Sequence, residues 1–152
     1  MVFASTLNIQ NAKTGSTILK DYSSAHITPI VGHAGVVINE YTYEDDWNFI
    51  VEAAPNLYGL ETTTSYNYFI GDNKYLGHYR TKRENYTSEE RILIARAARQ
   101  AINTRAAYAY IDLYTYDWDF EHTNNIPYSI DVVPTDFRCD GLAEWATEVA
   151  LN

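Results

Sequence analysis

"FRCDGLAEWATE", residues 137–148, carries the only cysteine of the 152-residue chain. Beyond it the apolar positions Leu142, Trp145, Ala146, Val149 and Ala150 recur at i, i+3, i+4, i+7 and i+8, the stripe that buries one face of a helix. Cys139 stands just upstream of that stripe, so the spacing predicts a helix N-terminus at the thiol. There the positive end of the helix dipole and the unpaired backbone N–H groups favour a thiolate. Gly141 removes a side chain close to the sulfur, which leaves room for a carbonyl group to approach the backbone amides. The competing reading is a small apolar residue packed under the helix, because free cysteine is among the most buried residue types.

A cysteine nucleophile needs a base, usually histidine, and the chain offers His26, His33, His78 and His122. His33 opens "HAGVVINEY" (33–41), a β-branched run, and is flanked by Gly32 and Gly35, so a rigid strand would hold an imidazole with space beside it. His26 and His122 fall in loop-like sequence, and His78 alternates with Tyr75, Leu76 and Tyr79 on a later strand. A strand-end histidine bonded to backbone is the alternative for His33. Glu52 interrupts the apolar run of "WNFIVEAAP" (47–55), on the strand predicted to form a hairpin with the one bearing His33 through "TYEDD" (42–46). A carboxylate within such a run is costly unless paired. It is either buried against a histidine or exposed at a strand end.

Elsewhere, "TGSTILKDY" (14–22) is expected to be a short opening strand. "YGLETTTSYNYF" (58–69) and "NKYLGHYRT" (73–81), separated by Gly71 and Asp72, are expected to be a further strand pair. "TSEE" (87–90) has the capping-box spacing of Thr87 and Glu90, and the helix it starts is expected to run to about Ala106. Ile94, Ala97, Ala98, Ala101 and Ile102 form its apolar stripe, with Arg91, Arg96 and Arg99 off the stripe and solvated. "YTYDWDFEHTNN" (114–125) reads as an aromatic and acidic loop. Several strands, a helix, a loop and a helix make an α+β pattern.

The length suits one globular domain spanning 1–152. One cysteine excludes an intramolecular disulfide framework and any multi-thiolate metal site. Twenty acidic against eleven basic residues give a formal charge of −9, which opposes binding to a phosphate backbone, so no nucleic-acid partner is expected. No run approaches the roughly 18 apolar residues of a membrane span. The opening "MVFASTLNIQNAKTGSTILK" lacks the charged start and apolar block of a secretory signal. The chain is therefore expected to be cytoplasmic as written, or exported if a leader has been removed. Fourteen tyrosines with abundant Asn and Thr suggest a strand-rich, wet surface, a bias frequent in exported bacterial proteins.

"GHAGVVI" (32–38), "IVEAAP" (50–55) followed by Gly59, the helix from "TSEE", "YDWDF" (116–120) and "CDGLAEW" (139–145) together resemble the circularly permuted NlpC/P60 cysteine hydrolases of the YiiX/YaeF type. That group is a branch of the papain-like superfamily, and the resemblance covers nearly the whole chain in the same order. It implies a permuted papain-like fold, an antiparallel sheet packed against helices, with Cys139 as nucleophile, His33 as base and Glu52 as its orienter. It further implies substrate contacts at Tyr116, Asp140 and Gly141, and no metal or organic cofactor. The implied substrates are amide bonds of small peptides, amino-acid or cell-wall peptide derivatives, or lipid-linked acyl groups. Two positions depart from the pattern. Asp140 replaces a common serine, and its charge is expected to work against thiolate formation. Thr115 replaces the proline of the family's "PYDF" segment. Two rival readings keep the fold: an inactive module that binds a peptide or amino acid, and an acyltransferase like the relatives of lecithin retinol acyltransferase.

Overall fold

The computed structural model describes residues 12–21, 33–39, 50–54, 59–63, 69, 75–79, 85–109, 114–115 and 129–152. Five strands form an antiparallel sheet: β1 (Thr17–Lys20), β2 (His33–Val37), β3 (Ile50–Ala54), β4 (Gly59–Thr63) and β5 (Tyr75–Tyr79), in the spatial order β4-β3-β2-β1-β5. The β2–β3 pairing expected from the two apolar runs is present, with Gly35 opposite Glu52 and Val37 opposite Ile50. The "TYEDD" connection lies outside the described residues.

The strands expected within 58–69 and 73–81 also form, yet they are not partners. β4 extends β3, whereas β5 pairs with β1, so the two occupy opposite edges of the sheet. A Gly-Asp turn signal is local, while this pairing is decided by burial. Tyr75 of β5 lies opposite Lys20 of β1 and joins Ile18, Val37, Ile50 and Phe69 in a buried apolar group.

The helix α1 (Ser88–Asn103) starts where the capping box places it. Thr87 Oγ1 accepts from the Glu90 N–H at 3.2 Å, and the Glu90 carboxylate accepts from the Thr87 N–H at 2.7 Å. It ends three residues before the expected Ala106, because Arg105 takes a left-handed conformation (φ 58°) and the chain leaves as a strand. Arg96 and Arg99 are exposed, but Arg91 is half-buried and donates to the Thr14 carbonyl at 3.3 Å. A second, small sheet follows. β6 (Ala107–Tyr108) runs parallel to β8 (Asp136–Phe137), and β7 (Tyr114–Thr115), expected as loop, runs antiparallel to β8.

The last helix, α2 (Cys139–Leu151), begins at the thiol. Period-two alternation gives the large sheet two apolar faces. Val36, Val51 and Ala53 pack with Ile94, Ala97, Ala98 and Ala101 of α1 and with Leu142, Trp145 and Ala146 of α2. Phe137 sits beside Trp145, with ring centroids 5.3 Å apart. Ile18, Val37, Ile50 and Phe69 fill the other face. The fold is α+β, and among the described residues no helix is long and apolar enough to cross a membrane.

Candidate active site

His33 is the first residue of β2 and Glu52 the middle residue of β3. Their register, with Gly35 opposite Glu52, puts both side chains on one face of the sheet. They are 2% and 5% exposed, which removes the alternative of Glu52 in water at a strand end. Glu52 Oε2 and His33 Nε2 are hydrogen-bonded. A carboxylate only accepts, so Nε2 carries the hydrogen and Nδ1 is the nitrogen left for a second partner. The Cys139 thiol lies within interaction reach of the same imidazole and acts to raise its pKa. Burial acts to lower the His33 pKa, but the interactions with Cys139 and Glu52 outweigh it and hold the ring above the usual histidine value.

Arg138, in extended conformation, is the N-cap of α2, and its carbonyl accepts from the Leu142 N–H at 3.0 Å to close the first turn. Cys139 is therefore the first helical residue, one of those whose N–H has no carbonyl partner within the helix. The Asp140 carboxylate accepts from the Gly141 N–H at 3.1 Å and from its own backbone amide. Cys139 thus supplies the first-turn N–H that Asp140 does not engage.

Arg138 also changes the meaning of Asp140. Its guanidinium grips the carboxylate through two bonds, Nε to Oδ1 at 2.6 Å and Nη2 to Oδ2 at 2.8 Å. Burial acts to raise the Asp140 pKa, and the Arg138 bonds and charge, with the two backbone amides, outweigh it and hold the carboxyl below the usual range. The negative charge expected to oppose a thiolate is thus matched by a positive one beside it. That guanidinium is close enough to interact electrostatically with Cys139 and Tyr108 as well.

Tyr116, His26 and His122 lie outside the described residues. His78 is on β5, where its Nδ1 is 3.4 Å from the Tyr75 hydroxyl. Two neighbours of His33 carry no signal in the motifs above. The Phe69 ring stacks on His33, with centroids 5.6 Å apart and planes at 27°. Lys20, opposite His33 in the β1–β2 register, donates to the Phe69 carbonyl and places its ammonium 4.6 Å from the Phe69 ring centroid. Alternation was the available signal, since Lys20 shares a strand face with the wholly buried Ile18. Among the described residues no group of three His, Cys, Asp or Glu side chains is arranged to hold a metal ion. Comparison with family models, curated proteins and solved structures finds no match to this chain.

Proposed function

We propose that the protein is a cysteine hydrolase of amide bonds with a permuted papain-like fold of the NlpC/P60 type. The observation that carries this reading is one constellation: a thiol at a helix N-terminus, within interaction reach of a buried imidazole that a buried carboxylate holds through Nε2. Such a nucleophile, base and orienter is what acyl transfer requires.

In the mechanism, the Cys139 proton passes to His33 Nδ1, and the thiolate sulfur attacks the substrate carbonyl carbon. The carbonyl oxygen takes up the electron pair and is stabilised by the Cys139 N–H. The imidazolium then gives its proton to the leaving amine as the carbon–nitrogen bond breaks. Water, deprotonated by His33, releases the acid from the thioester and regenerates the thiol. Glu52 fixes the tautomer and balances the imidazolium throughout. The substrates implied are small peptides, cell-wall peptides or lipid-linked acyl amides.

Native Cys139 should react rapidly with iodoacetamide near pH 7, and His33→Ala should slow that reaction by roughly tenfold or more without unfolding the chain. A panel of peptide amides and acyl amides should then be cleaved by the native protein and not by Cys139→Ala. Alkylation only after denaturation would sink the catalytic reading and leave a binding module. Acyl transfer to added amines or lipids faster than to water would replace hydrolase with acyltransferase.

A further inference from the structure

The face of the sheet that carries His33 and Glu52 holds a third ionisable side chain. Lys20 is 8% exposed and lies across from His33 on the neighbouring strand. It is held from one side by Phe69, through both the carbonyl and the ring, and the same ring stacks on His33. Burying an ammonium is costly, and a strand lysine with a free choice of rotamer turns its head to water. Here it is kept inside, within electrostatic reach of Glu52.

We propose that Lys20 is a positioning residue of the triad: its ammonium balances the Glu52 carboxylate, so that His33 remains a proton acceptor and is not locked as the imidazolium. The inference rests on the proposed reading of His33 as the base. Its logic is charge balance. Lys20⁺ and Glu52⁻ cancel, so with an uncharged His33 the three side chains carry no net charge, and transfer of the Cys139 proton to His33 leaves their sum with Cys139 unchanged. Without Lys20, one negative charge is left in a buried site, and the Glu52–His33 pair holds a proton drawn from solvent to satisfy it. An imidazole that already carries that proton cannot take the one on Cys139.

Among the described residues, the following groups stand on the elements around this pair. Lys20 faces it from β1, and Tyr75 and His78 stand on β5. Glu61 of β4 is the register partner of Glu52, and Cys139 meets His33 from α2. Among these described groups, Lys20 is the lysine or arginine. Burial draws its pKa down, and the Glu52 charge opposes that pull, so the same pairing that steadies Glu52 favours the ammonium.

The test uses the full chain without substrate, so that it can fail independently of the hydrolase reading. The His33 imidazole is titrated by NMR with labelled histidine, its resonances assigned through His33→Gln, in the wild type, Lys20→Met and Lys20→Arg. Lys20→Met should move the His33 midpoint to higher pH by roughly half a unit or more, and Lys20→Arg should leave it near the wild-type position. An unmoved midpoint in Lys20→Met overturns the proposal. So does an equal displacement in Lys20→Arg, which would make shape the cause. If Lys20→Met does not fold, the wild type decides. Its Lys20 side-chain carbon should keep the ammonium shift through neutral pH and show a step at the His33 midpoint. A neutral amine at pH 7, or no step, overturns the proposal. Shifted titrations in a chain that cleaves nothing would sink the hydrolase and keep the Lys20 coupling.

Discussion

Glu52 and His33 are each expensive to bury alone, and each supplies what the other lacks. The carboxylate gains a donor, and the ring gains an acceptor that fixes its tautomer. Removing either leaves a buried polar group without that bond, at a cost of about 1–3 kcal/mol. The raised His33 pKa has a consequence for stability. The folded state favours the protonated ring more than the unfolded chain does, where the reference value is 6.5. That contribution is fully present below the unfolded value and is lost as pH rises through the folded value. Urea unfolding of the wild type and His33→Gln, at about pH 6 and about pH 8, should show the wild-type advantage shrinking on the alkaline side. An advantage that grows with pH would mean that the fold favours the neutral ring.

Within β2, Gly35 is where strand and site meet. A Cβ there would stand 2.6 Å from Ile50 Cγ2 and 2.8 Å from Phe69 Cε2, closer than packed atoms tolerate. Ile50 and Phe69 are both wholly buried, so neither yields freely, and any displacement of Phe69 disturbs the surface on which His33 and Lys20 rest. Gly35→Ala should lower stability by about 1–3 kcal/mol and slow iodoacetamide capture of Cys139. Thr87→Ala, which removes the α1 cap, should cost about 1 kcal/mol and leave that rate unchanged. Equal effects on the rate from both would show that Gly35 matters only through global stability. The contrast between these positions also marks what is legible in a sequence. The α1 cap, the β2–β3 pairing and the α2 stripe are written in residues a few places apart, so spacing alone finds them. The placement of β5 beside β1 joins residues about 60 positions apart and depends on which edge buries Tyr75, which no local pattern reports. Lys20 was missed for a related reason. A strand lysine reads as solvated until something like Phe69 is known to cover that face.

The whole molecule carries nine excess negative charges, yet beside Cys139 Arg138 pairs with Asp140, so the long-range field and the local one differ. The β2–β3 register brings residues 33 and 52 to one face, and α2, which packs against α1 and the opposite face of that sheet, starts at residue 139, within interaction reach of His33. The thiol is therefore surrounded by an acidic protein while sitting beside a balanced ion pair. Paired reagents separate these influences. Iodoacetamide is neutral and iodoacetate anionic, and both alkylate the same sulfur through the same displacement. Relative to a small free thiol, wild-type Cys139 should disfavour iodoacetate at low ionic strength, and the discrimination should shrink as added salt shortens the Debye length from about 30 Å at 0.01 M to about 8 Å at 0.15 M. Arg138→Met keeps most of the side-chain volume and removes the charge that answers Asp140. It should therefore deepen the discrimination severalfold, and much of the added part should persist at 0.15 M, because charges this close are screened little. Arg138→Met combined with Asp140→Asn should return the ratio toward wild type. If the single variant matches the wild type at every salt concentration, the Arg138–Asp140 pair does not set the field at the sulfur. The overall charge alone would then govern which ligands reach it.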